Sequence, residues 1–101
     1  MGATRMIDPK KALEGQQLVM ELKYAIAEKN ELVSLHGDTF YLKPVAIYLD
    51  SVSFVLVLDH ADRGTLQQDY KTGMWSYMGI PMYRVSSGGQ KHLKVMKEEL
   101  E

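Results

Sequence analysis

The chain has 101 residues, 46% apolar and 25% charged, with a formal net charge of −1 and no cysteine. That length supports one domain with one core. The missing cysteines exclude disulfides, thiolate metal sites and cysteine nucleophiles, and the charge balance gives no global attraction to nucleic acid or acidic lipid.

Along the chain, residues 1–7 form an arm without a signal-peptide core. Gly2 is followed by Met6 where a myristoylation motif wants Ser or Thr. The strongest apolar run, Phe54–Leu58, falls far short of the ~20 residues of a membrane span. These features predict a soluble intracellular protein. Asp8-Pro9 is a helix start, a capping carboxylate followed by a proline at the first helical position. Ala12, Gly15, Val19, Leu22, Ile26, Lys29 and Val33 then alternate spacings of three and four, an amphipathic helix of about six turns ending near Asn30. The stripe suits a sheet of its own chain better than a coiled coil, which needs ~3–4 heptads.

Leu32–Leu35, the turn His36-Gly37-Asp38 and Thr39–Leu42 predict a hairpin, with a helix running on to Leu35 and stopped by Gly37 as the alternative. Val45–Leu49 fits a strand, with a short helix starting at Pro44 as the alternative. Ser53–Leu58 is apolar on both faces and predicts a central strand. His60–Gly73 is a connector, with a helical turn possible over Thr65–Tyr70. Met74–Val85 holds the only Trp and is broken at Gly79 and Pro81. It predicts two extended arms, 74–78 and 81–86, bent at Gly79. A loop over Ser87–Lys91, a strand over His92–Met96 and a solvated tail, 97–101, close the chain.

Four groups of residues have chemical potential. Asp59, His60 and Asp62 offer an imidazole and two carboxylates to a divalent metal, as a small hydrolase would need; the plainer reading is a strand leaving the core for water. Ser86–Lys91 has glycines and a lysine suited to a phosphate, without Walker spacing. Lys91, His92, Lys94 and Lys97, with Trp75, Tyr77 and Tyr83 to stack on bases, outline a nucleic-acid site, but Glu98, Glu99 and Glu101 cancel much of that charge. Met74, Met78 and Met82 recur every four residues beside Trp75, Tyr77 and Tyr83. A domain this small does not easily bury both sets, and an aromatic set left outside forms a patch for a partner.

Trp75–Val85, a polar loop and His92–Val95 together resemble the closing element of many tailed-phage and prophage proteins, including major capsid proteins. There a strand leads through Gly-aliphatic-Pro-aliphatic, here Gly79-Ile80-Pro81-Met82, to a turn and a last short strand. The resemblance implies a small phage- or prophage-encoded accessory protein, in the host cytoplasm or virion, rather than the shell subunit.

The combined expectation is an α+β fold over 1–101: one long N-terminal helix on a mainly antiparallel sheet of about five strands. Function is expected to be non-catalytic, without cofactor or membrane. The chain would self-associate or bind a protein partner through Trp75, Tyr77, Met78 and Tyr83.

Overall fold

The apolar spacing after Pro9 produces the helix it requires. In the computed structural model, which describes residues 9–28, 31–33 and 35–99, helix α1 spans Pro9–Ala27. It buries Leu18, Val19 and Leu22, and Ile26 packs beside them. The helix ends before Asn30: the Glu28 N–H bonds to the Tyr24 carbonyl at 2.8 Å in a closing turn. Val33, expected on the helical stripe, lies instead in strand β1 (Glu31–Val33). Leu13, Met20 and Tyr24 are exposed. Their i, i+7, i+11 spacing makes a second apolar stripe opposite the buried one.

Strand β1 pairs with β2 (Thr39–Asp50) in the register Glu31↔Tyr41, Leu32↔Phe40, Val33↔Thr39. The hairpin is therefore present. Its second strand continues well past Leu42, taking in Val45–Leu49 as strand. A bulge between Pro44 and Ala46 lets the ladder to β6 pass a proline that has no N–H to give.

Helix α2 (Ser51–His60) follows directly, which corrects the strand expected over Ser53–Leu58. Asp50 starts the helix: its backbone is extended and its Oδ2 accepts the Ser53 N–H at 3.2 Å. The buried residues Ser53, Phe54 and Val57 follow helical spacing, while Val52 and Val55 face water. The central position expected for 53–58 is filled by β2, which has a strand on each edge.

A 3-10 turn at Arg63–Thr65 leads to β3 (Leu66–Gln68), then β4 (Trp75–Tyr77), β5 (Ile80–Val85) and β6 (Leu93–Glu99). Lys97–Glu99 thus belong to a strand and not to a solvated tail. The predicted ends at 1–7, Leu100 and Glu101 lie outside the described residues. Strand order is β1-β2-β5-β4-β3, with β6 on the other edge of β2 from β5. The β2–β5 ladder is parallel and the other four are antiparallel. The fold is α+β with an N-terminal helix, as expected, but its six-stranded sheet is mixed, not mainly antiparallel. The reason is the crossover: α2 and the β3–β4 ribbon intervene between β2 and β5, and a crossover of that length is what delivers a parallel neighbour.

The core joins Leu18 and Leu22 of α1, Phe54 and Val57 of α2, and Ile47, Leu49, Tyr77, Ile80 and Met82 of the sheet. By strand alternation Tyr48 points to the opposite face, where it stacks on Tyr83 across the parallel ladder, with ring centroids 5.4 Å apart. The molecule measures 67 × 33 × 29 Å, with a radius of gyration of 16.3 Å, above the ~13 Å of a compact chain this long. Among the described residues, β6 pairs with β2 from Leu42 to Leu49, and β1 pairs with the preceding Thr39–Tyr41.

Candidate functional site

Strands β4 and β5 form a hairpin closed by Met78 and Gly79, both at positive φ (51° and 80°). Such a two-residue turn matches the twist of its strands. Glycine adopts the conformation freely, whereas a residue with a Cβ is penalised by about 1–2 kcal/mol. Met78 accepts that strain while 57% exposed, and strain of this kind concentrates at contact sites.

Trp75 and Tyr77 share one face of β4 by alternation, the face toward the core. Tyr77 is fully buried, which corrects its assignment as a partner-binding residue. Its hydroxyl makes no hydrogen bond of normal geometry. Burial raises its pKa, the Asp62 carboxylate adds to the rise, and the nearby Thr65 hydroxyl opposes it. Trp75 is half-buried, packed against the core margin.

The pairing of β5 is split along its length. Ile80 and Pro81 pair with β4, while Met82–Val85 pair with β2 on the other edge. At Trp75, β4 is still paired with β3, opposite Gln68, but no longer with β5. Among the described residues, the β3–β4 ribbon therefore leaves β5 without a partner on that edge from Met82 onward. The notch is a groove of about 400 Å3 walled by Phe54, Gly73, Met74, Trp75, Met82, Tyr83 and Arg84. Among the described residues Arg84 is its one charged wall, with the guanidinium 4.7 Å from the Phe54 ring centre. Met74 and Trp75 also line a second groove with Gln67, Asp69, Thr72 and Pro81, so they stand as a ridge between the two. The loop behind the ridge is fixed: Asp69 N–H bonds to the Met74 carbonyl at 2.8 Å, and Gly73 N–H to the Asp69 carbonyl at 2.6 Å.

The other candidate groups are not brought together. Asp59 and Asp62 are exposed, while the half-buried His60 ring lies against Gly15 of α1, where no Cβ would fit. No group of three metal-binding side chains occurs among the described residues. Gly89 and Lys91 line a groove of about 300 Å3 together with Glu14, Glu21 and Asp50. Lys91 is bonded to Glu21 at 2.7 Å, and the α2 N-terminus is filled by the Asp50 carboxylate, so a phosphate there would face three acids. The basic run is dispersed: Lys94 lies opposite Tyr48 and Lys97 donates to the Glu28 carbonyl.

Sequence reasoning missed Phe54 and Arg84 as walls of the notch and Asp50 as a structural hub. Asp50 Oδ1 accepts the His92 N–H at 2.9 Å, and the Asp50 N–H bonds back to the His92 carbonyl at 3.2 Å. Burial works to raise its pKa, but the hydrogen bonds from His92 and Ser53 outweigh this and hold the carboxyl below its ordinary value. The available signal was an Asp three residues before a Ser at the head of an apolar run, an N-cap pattern masked by three valines. Comparison with protein-family models, curated proteins and solved structures finds no match to this chain.

Proposed function

We propose that this protein is a non-catalytic interaction module that works in assembly, through the aromatic edge formed by Trp75, Met74, Met78, Tyr83 and Arg84. The observation that carries this reading is the open edge of β5 beside a groove with apolar walls. A strand edge offers backbone hydrogen bonds to an added extended segment, and flanking pockets offer specificity. Trp, Tyr and Arg are the side chains that most often dominate interface energies. The strained, exposed Met78 beside the notch supports the same reading, as does the resemblance of this stretch to the closing element of tailed-phage and prophage proteins, including major capsid proteins. We accordingly assign the protein an accessory role of that kind.

Trp75 is the only tryptophan, so its emission reports on the notch directly. Light scattering after size exclusion, over a wide concentration range, should show association accompanied by a blue shift in emission. Trp75→Ala should weaken association at least tenfold. Unchanged molar mass in a folded Trp75→Ala variant would overturn the reading.

A further inference from the structure

We infer that β6 pairs with β6 of a second copy, antiparallel about a two-fold axis at Met96, so that two sheets join into one. This contact goes beyond the notch, because β2 and β5 separate β6 from β4 in the sheet. Strand β6 is seven residues long and, among the described residues, pairs with β2 alone. Its outer edge therefore has no ladder there. His92 shows which backbone groups occupy that edge. Its carbonyl accepts the Asp50 N–H at 3.2 Å, so His92 turns its backbone groups toward β2. The direction alternates along an antiparallel strand. Lys94, Met96 and Glu98 turn theirs the same way, opposite Tyr48, Ala46 and Lys43. Leu93, Val95, Lys97 and Glu99 present theirs to the outer edge.

The side chains select both the occupant and the register. Centred on Met96, a two-fold pairing engages all seven residues of β6. It sets Lys94 against Glu98 of the second copy, Glu98 against Lys94, Val95 against Lys97, and Met96 against itself. Lys94, Met96 and Glu98 turn their backbone groups away from the joint, so they meet as non-hydrogen-bonded pairs, the kind that brings side chains closer. Opposite charges directly across such a pair attract, and like charges repel. Centring on Lys94, Lys97 or Glu98 would set each against its own copy, and centring on Val95 would set Lys94 against Met96. Lys94 and Glu98 are exposed, and Met96 is 39% exposed on the same face. Neither charge is in an ion pair among the described residues; Lys43 stands opposite Glu98 on β2 without forming one. Charged side chains commonly protect a sheet edge from pairing. Here their order, Lys-Met-Glu on alternate positions, is complementary to its own reverse, which is the pattern a second copy of this chain supplies.

The joint is isologous, so it closes at a dimer. Lys94→Glu should weaken dimerisation at least about tenfold, and Glu98→Lys should do the same, because each turns two attractive pairs into two repulsive ones. Mixed one to one, the two variants should recover a heterodimer of wild-type affinity, since every glutamate then faces a lysine. Light scattering after size exclusion reads the mass, and amide exchange locates the contact: the Val95 and Lys97 N–H groups should exchange slowly in the dimer and fast in either variant alone. Circular dichroism spectra and melting curves matching the wild type verify that the variants are folded. Dimerisation at β6 should leave Trp75 emission unchanged, and Trp75→Ala should take the assembly down to this dimer and no further. A dimer lost in Trp75→Ala but kept in both charge variants overturns the β6 joint and leaves the notch reading standing. A dimer that survives Trp75→Ala and follows the charge pattern supports the joint, whatever the notch does. A wild type monomeric at every concentration, a dimer that none of these variants weakens, or charge variants that stay monomeric when mixed would each overturn it.

Discussion

Asp50 shows how one side chain can set three elements at once. Its carboxylate caps α2, receives the His92 N–H just before β6, and sits at the end of β2. Removing it by Asp50→Ala should cost about 2 kcal/mol at neutral pH, the loss of a cap and of a further hydrogen bond to a charged acceptor. The pH dependence follows from the lowered pKa. The folded state favours the ionised form, so the stabilisation is complete above the unfolded value of about 4 and fades as pH falls through the folded value. Urea unfolding should show that acid-side loss in the wild type and a flatter limb in Asp50→Asn. Gly15 and His60 form the second residue-scale contact. Alanine ordinarily stabilises a helix by about 1 kcal/mol over glycine. Here Gly15→Ala should destabilise, because its Cβ meets the His60 ring. In a His60→Ala background the same substitution should stabilise. This change of sign, read from a thermal double-mutant cycle, would establish His60 as a packing residue at the α1–α2 crossing.

At the scale of elements, α2 is the instructive case. Its valines favour a strand locally, and the cap at Asp50 together with the occupied edges of β2 override them. Val55 is exposed on the helix, so Val55→Ala should raise stability by a few tenths of a kcal/mol, reaching about 0.5. A fall in melting temperature would indicate instead that β-branching is needed there. The β4–β5 hairpin gives the complementary case. Asparagine tolerates positive φ better than methionine, and Asn-Gly is the favoured pair for this turn. Met78→Asn should therefore stabilise the monomer by about 1 kcal/mol and at the same time weaken association, measured by denaturation and light scattering on one preparation.

At the scale of the molecule, the outline is elongated, and Leu35, Phe40 and Tyr41 of the β1–β2 hairpin are exposed. Leu35→Ser with Tyr41→Ser should change unfolding free energy by less than about 1 kcal/mol, because both side chains are already in water. A large loss of stability would show instead that these side chains are packed in solution.

The N-terminal helix, the β1–β2 hairpin and the bend at Gly79 were legible in the sequence because each is set by neighbours a few residues apart: apolar spacing, turn residues, a glycine at positive φ. The aromatic stretch was legible as a candidate site for the same reason. Local pattern could not decide that Ser53–Leu58 is helical, that Tyr77 is core while Trp75 and Tyr83 reach the surface, or that Arg84 lies over Phe54. Those outcomes depend on which strand occupies each edge of β2 and on where β4 parts from β5. Both are settled by pairings between residues distant in the chain, and burial there is shared among elements whose individual sequences carry no record of one another.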